Sequence, residues 1–310
     1  MAHIVAFGAY VPERVVDNSE LAPLVGADAG WILQSTGIEA RRYAAAEESV
    51  ASLGVRAARN CLANAGLVAR DIGMLLVASS SAPHRFPGPA CAIGAGLGIN
   101  GVPAIDLPIA SAGSLFGMAL AAQLAAVYGN VLVVATEIMS RVIERHPTHR
   151  DTAILFGDGA GACLVSAQSG FAEIRDALLA SDGDFAEALR LDVDAPLHMD
   201  GRTIILQASR KIPRAITELL ARNHMAASDV GVFLMHQANL NLITRVAQAI
   251  GAPQERFFRN IQRNGNTSSA SMLIAAAEWQ AGQSGPPASA VVFAAFGAGL
   301  HWGALVAVPA

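Results

Sequence analysis

The same order of segments occurs twice in this chain, and that repetition restricts its fold more than any other feature. CLANAGLVARDIGMLLVAS (Cys61–Ser79) and LLARNHMAASDVGVFLMHQ (Leu219–Gln237) both read as a helix, then Asp-[Ile/Val]-Gly, then an apolar strand, with Asp71 and Asp229 in register. SAGSLFGMALAA (Ser111–Ala122) and SSASMLIAAAEW (Ser268–Trp279) both open on small residues and continue as an apolar helix. FGDGAGACLV (Phe156–Val165) and FGAGLHWGALV (Phe296–Val306) both begin Phe-Gly-x-Gly and run into an apolar strand. Each pairing is weak alone, but three in the same order indicate a duplicated α/β unit. Strands alternating with helices predict layered α/β architecture. The runs LLVAS, VLVVAT, VFLM and VVFAAF lack polar alternation, which predicts sheets covered on both faces. The halves are placed at residues 1–166 and 167–310. The stretch from Gln168 to Arg202 is the most loop-like, with Ser181-Asp182-Gly183-Asp184 as a turn.

Composition narrows the function classes. A chain of 310 residues suits one large domain or two of about 150. With 53% hydrophobic and 15% charged residues it can bury a large core. The net charge is −4 and there is no Lys/Arg run, so nucleic-acid binding is excluded for want of clustered cations. Three cysteines without CxxC spacing give neither a disulfide framework nor a zinc site. His146-Pro-Thr-His149 lacks a nearby third ligand, so no metal is expected there. The N-terminus lacks a basic segment followed by an apolar one, which predicts a cytoplasmic protein. Leu107–Thr136 carries no charge and could cross a bilayer by length. Its internal Pro108, Gly113, Gly117, Gln123, Gly129 and Asn130 instead predict a buried helix, a turn at Tyr128-Gly129-Asn130 and a core strand, with no membrane span.

Some signals carry less. Gly94-x-Gly96-x-Gly98 and FGDGAG are glycine-rich, but neither joins a first strand to a helix, so nucleotide binding is rejected. Cys91 reads as a core residue of a helix. Asp158 reads as a turn or structural residue. Ser114 and Ser271 read as caps or as core hydroxyls with their hydrogen bonds satisfied.

Three residues stand where chemistry could gather. Ser111, in DLPIASAGS, lies between a strand-like run and an apolar helix. His236, in MHQANL, follows the strand VFLM, and Asn266 lies in NGNTSSAS, which opens a helix. A nucleophile at a helix N-terminus faces free backbone N–H groups that stabilise an oxyanion. Neutral His and Asn can donate to a second oxyanion, such as an enolate formed by decarboxylation. Taken singly, a serine at a helix start is usually an N-cap and a histidine after a strand is usually structural.

The chain resembles the β-ketoacyl-ACP synthase III family, of the thiolase fold, over nearly its whole length. The matching segments are GAYVPERVVDNSEL (Gly8–Leu21), WILQSTGIEARR (Trp31–Arg42), DLPIASAGS (Asp106–Ser114), FGDGAGA (Phe156–Ala162), HQANL (His236–Leu240), GNTSSAS (Gly265–Ser271) and FGAGLHWG (Phe296–Gly303). The resemblance implies two pseudo-symmetric halves stacked in five layers, αβαβα. It implies a catalytic set in which His236 and Asn266 match and Ser111 replaces the family's cysteine. The backbone N–H groups of Ser111 and Ala298 would face the thioester oxygen. Trp31 and Arg150 match residues that sandwich the adenine of coenzyme A, which enters as acyl-CoA substrate; no permanently bound cofactor is implied. Phe86 matches an aromatic that reaches across a homodimer interface into the partner's acyl pocket. Ser35 and Asn241 stand where the family has arginines for coenzyme A and for acyl carrier protein, which implies weaker contacts to both.

A serine changes the expected chemistry. A cysteine can ionise, whereas a hydroxyl needs a general base, and His236 is the one candidate in the matched set. Decarboxylative condensation of an acyl group on Ser111 with a malonyl thioester is the favoured reading, because both decarboxylation residues are present. The alternatives are acyl transfer from coenzyme A to a small hydroxyl or amine, a non-catalytic subunit paired with a cysteine-bearing paralogue, and an engineered Cys-to-Ser change.

Overall fold

The computed structural model describes all 310 residues. The chain opens with β1 (Ala2–Tyr10), then β2 (Arg14–Asp17) and β3 (Ala40–Tyr43), which bracket α1 (Asn18–Leu21) and α2 (Ala29–Thr36). It continues through α3 (Val50–Ala65), β4 (Met74–Ala78), α4 (Pro89–Leu97), β5 (Ala104–Leu107), α5 (Gly113–Tyr128), β6 (Asn130–Ile138), α6 (Arg150–Ala153) and β7 (Asp158–Ser166). The second series is β8 (Ala172–Ser181), β9 (Leu189–Arg190), β10 (His198–Met199), α7 (Gly201–Arg222), β11 (Val230–Met235), α8 (Leu240–Ala249), α9 (Ile261–Asn264), α10 (Ser271–Ala281), β12 (Ala290–Gly297) and β13 (His301–Pro309).

The duplication is visible in the pairing. Nine strands form one hydrogen-bonded order, β11-β12-β13-β8-β1-β7-β6-β4-β5. β4 pairs parallel with β6, as β11 does with β12. β6–β7 and β1–β7 are antiparallel, as are β12–β13 and β13–β8. The two series meet through a short antiparallel pairing of β1 and β8 at Ala2–Ile4. β5 lacks a full counterpart. Its place is taken by a single parallel bridge between Phe233 and Phe257, whose rings stack at 4.5 Å. The paired aspartates do the same work: Asp71 accepts from Val68 N–H at 2.9 Å and Asp229 from Ala226 N–H at 2.8 Å, each capping the turn before its strand.

The apolar strands divide their side chains between two cores, as period-2 geometry requires. On β6, Leu132 and Val134 face one outer layer with α3 and α4, while Val131 and Val133 face the middle layer. On β12, Val292 and Ala294 face α7 and α8, while Val291 and Phe293 face the middle. Leu115 and Met118 of α5, with Leu273 and Ile274 of α10, fill that middle layer. The order is therefore helix, sheet, helix, sheet, helix: the five-layer thiolase fold. Small residues make the layers close. A Cβ on Gly161 of β7 would lie 2.9 Å from the backbone nitrogen of Ile274, so α10 crosses that strand nearly backbone to backbone.

Four expectations need correction. The stretch Gln168–Arg202 is not mainly loop: it contains the ten-residue β8. Its polar residues concealed it, and Asp176 is accommodated by Arg222 at 2.9 Å and Asn223 at 2.9 Å. Cys91 is exposed, because α4 buries Ala90, Ile93 and Gly94 and turns position 91 outward. Ser114 is fully buried, and its hydroxyl has no partner. The helix from Gly113 is not buried all round: Ala121 and Ala125 keep one face in the core, while Leu120 is exposed and Val127 in its last turn is 76% exposed. No helix is long and apolar enough to cross a membrane.

Candidate active site

Ser111 forms a strained elbow. Between β5 and α5 the chain turns sharply, and Ser111 takes φ 62. A non-glycine residue there costs about 1–3 kcal/mol, so its surroundings must hold it. Ser111 N–H donates to Ser268 Oγ at 3.1 Å, and Ala112 N–H donates to the Ala110 carbonyl at 2.7 Å. Gly297, at the end of β12, presses on the elbow: a Cβ there would overlap the Ala110 carbonyl oxygen and sit 2.8 Å from Ala112 N.

Ser268 is the counterpart of Ser111 in the repeat, and it too has positive φ, 45. The two elbows meet, one hydroxyl accepting the other's backbone N–H. From Ser268 a hydroxyl chain runs inward: Ser268 Oγ lies 3.3 Å from Ser80 Oγ, which donates to Glu137 Oε1 at 2.9 Å. Glu137 is fully buried with no cation beside it. Its carboxylate accepts from the N–H groups of Ser80 and Ser81, both at 3.0 Å, and from the hydroxyls of Ser81 and Ser269, both at 2.6 Å. That many donors offset the desolvation of the charge.

Asn266 precedes the Ser268 elbow and forms a parallel bridge with Phe156. Its Oδ1 accepts from Ser268 N–H at 2.9 Å, so the amide is oriented with Nδ2 as the donor end. Nδ2 makes one long contact, 3.4 Å to the Ala238 carbonyl. Behind this bridge lies Arg41, fully buried, donating to Asn18 Oδ1 and to the Ile154 carbonyl, both at 2.8 Å. His236 ends β11. Its backbone N–H donates to the Ala294 carbonyl at 2.8 Å, and its Nδ1 lies 2.6 Å from Ser271 Oγ. Burial lowers its pKa to about 3, so the ring is neutral at ordinary pH.

Ser111, His236 and Asn266 line one cavity, walled by Phe156, Met235, Leu242 and Phe296. Ser111 also borders a second cavity with Ser268 and Ala298, whose rim includes Phe86, Leu191 and Leu197. The elbow thus sits between two chambers. Any carbonyl oxygen bound at Ser111 N–H has to share that proton with Ser268 Oγ.

The outer residues also group. The Arg150 guanidinium lies over the Trp31 indole, 5.0 Å from the ring centroid. Both Asn239 and Asn241 donate to the Ser35 carbonyl at 3.1 Å, and Asn241 reaches the Gln34 carbonyl at 3.3 Å. This fastens α8 to the helix that carries Trp31. Asn241 is therefore spent on an internal contact. Phe86 is 85% exposed. His146 and His149 do not converge: His146 Nδ1 caps Thr148, and His149 Nε2 faces Glu144 at 3.2 Å.

Sequence reasoning missed Ser268, Ser80, Glu137 and Ser271. The repeat did align Ser268 with Ser111. Glu137 was detectable as the lone charge ending an otherwise apolar strand. Ser271 reads in sequence only as a cap or core-satisfied hydroxyl, with nothing local to link it to His236.

Comparison with known proteins agrees with this architecture. A family model described as 3-oxoacyl-[acyl-carrier-protein (ACP)] synthase III matches residues 105–183, and the C-terminal model of the same synthase matches 220–308. A β-ketoacyl-[acyl-carrier-protein] synthase III of Oleidesulfovibrio alaskensis is 37% identical, covering 98% of both chains. A synthase III of Vibrio vulnificus is 34% identical over 97% of both. The crystal structure of the Aquifex aeolicus synthase III superposes with a TM-score of 0.95 at 31% identity, covering 99% of this chain and 100% of that one. The priming β-ketosynthase of the R1128 polyketide pathway superposes at 0.91 with 28% identity, over 100% and 96%. The chain belongs to the β-ketoacyl-[acyl-carrier-protein] synthase III family of acyl-transferring condensing enzymes.

Proposed function

We propose that this enzyme takes an acyl group from acyl-CoA onto Ser111 and condenses it with a malonyl thioester. The supporting observation is the convergence of Ser111 with two neutral donors, His236 and Asn266, around one cavity. In the first half-reaction Ser111 Oγ attacks the thioester carbonyl. The C–S bond breaks, and coenzyme A leaves as its thiol, carrying the hydroxyl proton. In the second, a malonyl thioester loses CO₂. The resulting enolate oxygen receives hydrogen bonds from His236 and Asn266, and its carbon attacks the Ser111 ester; the C–O bond to Ser111 breaks, and Oγ takes up a proton from solvent to restore the hydroxyl. The acceptor thioester is carried by an acyl carrier protein that docks without an arginine at position 241.

Trp31 and Arg150 support a coenzyme A mouth. The 5.0 Å spacing leaves no room for a base between them, so the guanidinium lifts to admit adenine. Trp31→Ala is expected to raise the KM for acyl-CoA several-fold with little change in kcat; an unchanged KM removes the assignment. Exposed Phe86 beside the second chamber supports a homodimer in which each chain closes the other's acyl pocket.

The direct test is intact-mass measurement after incubation with a panel of acyl-CoAs. An adduct on the wild type, absent from Ser111→Ala and discharged by malonyl-carrier protein as a chain two carbons longer, is the expected result. Discharge to a small alcohol or amine alone would favour acyl transfer. No adduct with any acyl-CoA, together with association to a cysteine-bearing paralogue, would overturn the catalytic reading.

A further inference from the structure

We infer that Ser271 is a positioning residue that fixes His236 in the tautomer carrying its proton on Nε2, so that the ring acts as a hydrogen-bond donor and not as a base toward Ser111. The inference rests on the proposed reaction for its consequence, but not for its geometry.

A serine hydroxyl has one proton to give and two lone pairs to receive. Ser271 Oγ is buried and has two partners. It accepts from the Gln237 backbone N–H at 3.0 Å, and it lies 2.6 Å from His236 Nδ1. The backbone N–H can only donate, so one lone pair is committed. The hydroxyl proton then needs an acceptor, and Nδ1 is the one partner able to receive it. Were Nδ1 protonated, Ser271 Oγ would face two donors while its own proton had none to meet, an arrangement that burial penalises. The hydroxyl therefore donates to Nδ1, and the ring proton sits on Nε2.

The same segment orients the second donor. Ser268 N–H fixes Asn266 Oδ1 at 2.9 Å, which leaves Nδ2 as the donor end, held only by its long 3.4 Å contact to the Ala238 carbonyl. GNTSSAS thus sets the polarity of both groups from behind. Nε2–H and Nδ2–H suit an enolate oxygen, which needs donors. They do not suit abstraction of the Ser111 proton, which needs a lone pair. That proton accordingly passes to the departing coenzyme A sulfur as the C–S bond breaks.

The tautomer can be read on the free protein, independent of any turnover. The chain holds eight histidines, so His236 is assigned in long-range ¹H–¹⁵N spectra of ¹⁵N-histidine-labelled protein by difference from His236→Gln. The expected spectrum at neutral pH has a protonated Nε2 and an unprotonated Nδ1; a protonated Nδ1 overturns the inference without bearing on acylation of Ser111. In Ser271→Ala the ring should become a mixture of tautomers, and release of CO₂ from malonyl-CoA should slow roughly tenfold. An unchanged tautomer in that variant also overturns it. The wild-type spectrum stands as the test if Ser271→Ala does not fold.

Discussion

Ser111→Cys should form its acyl adduct from acyl-CoA roughly 100-fold faster than the wild type, the gain arising from ionisation. A hydroxyl is not ionised near neutral pH, whereas a thiol with a free pKa of about 8.5 is partly thiolate there. At this elbow the thiolate fraction increases further, because α5 runs for 16 residues from Gly113 and its positive end faces position 111. The local geometry accepts the exchange. Position 111 opens on chambers to both sides, so a larger sulfur has room, and its backbone strain is held by Ser268 and Gly297 whichever atom it carries. Condensation should gain as well, since a thioester is the better acceptor for a carbanion. Time-resolved intact-mass spectra read both steps. Equal adduct rates for serine and cysteine would mean that residue 111 does not receive the acyl group.

That expectation draws on sequence and structure unequally. The repeat and the alternation of helices with doubly covered strands were legible, because each depends on short-range pattern: apolar runs, Asp-x-Gly turns and small residues at helix starts; the five layers and the grouping of Ser111, His236 and Asn266 followed only from the family resemblance. β8 was not legible, since its Glu173 and Arg175 face each other on the strand and its Asp176 is accommodated by Arg222 and Asn223, partners distant in sequence. Cys91 was misread because a helical face can be chosen only when the packed neighbours are known. The hydroxyl chain from Ser111 through Ser268 and Ser80 to Glu137 joins four separate segments, and no local signal announces it. Asn241 shows the opposite case. Its departure from the family pattern was visible in sequence, but its actual task, fastening α8 to α2, needed coordinates.

His236 carries the second large effect, on both chemistry and acid stability. Removing one preorganised donor from a developing oxyanion costs about 10²–10³ in rate, so His236→Ala should lose that much malonyl decarboxylation. The stability effect follows from burial. In the unfolded chain the imidazole titrates near 6.5, and in the folded protein burial lowers this to about 3. Between those values the unfolded chain binds the proton that the folded site refuses. Stability from the neutral ring is therefore complete above pH 6.5 and is lost as pH falls toward 3, by about 1.4 kcal/mol per pH unit. Carboxylates elsewhere also titrate over part of this range, but they do so equally in a variant lacking only the imidazole. The difference in unfolding free energy between wild type and His236→Gln, measured in denaturant at pH 7, 6 and 5, isolates the one proton. The wild type should lose stability more steeply toward acid, by about 1.4 kcal/mol per unit below pH 6. Parallel slopes would show that the ring takes up its proton in the folded state and is no fixed neutral donor.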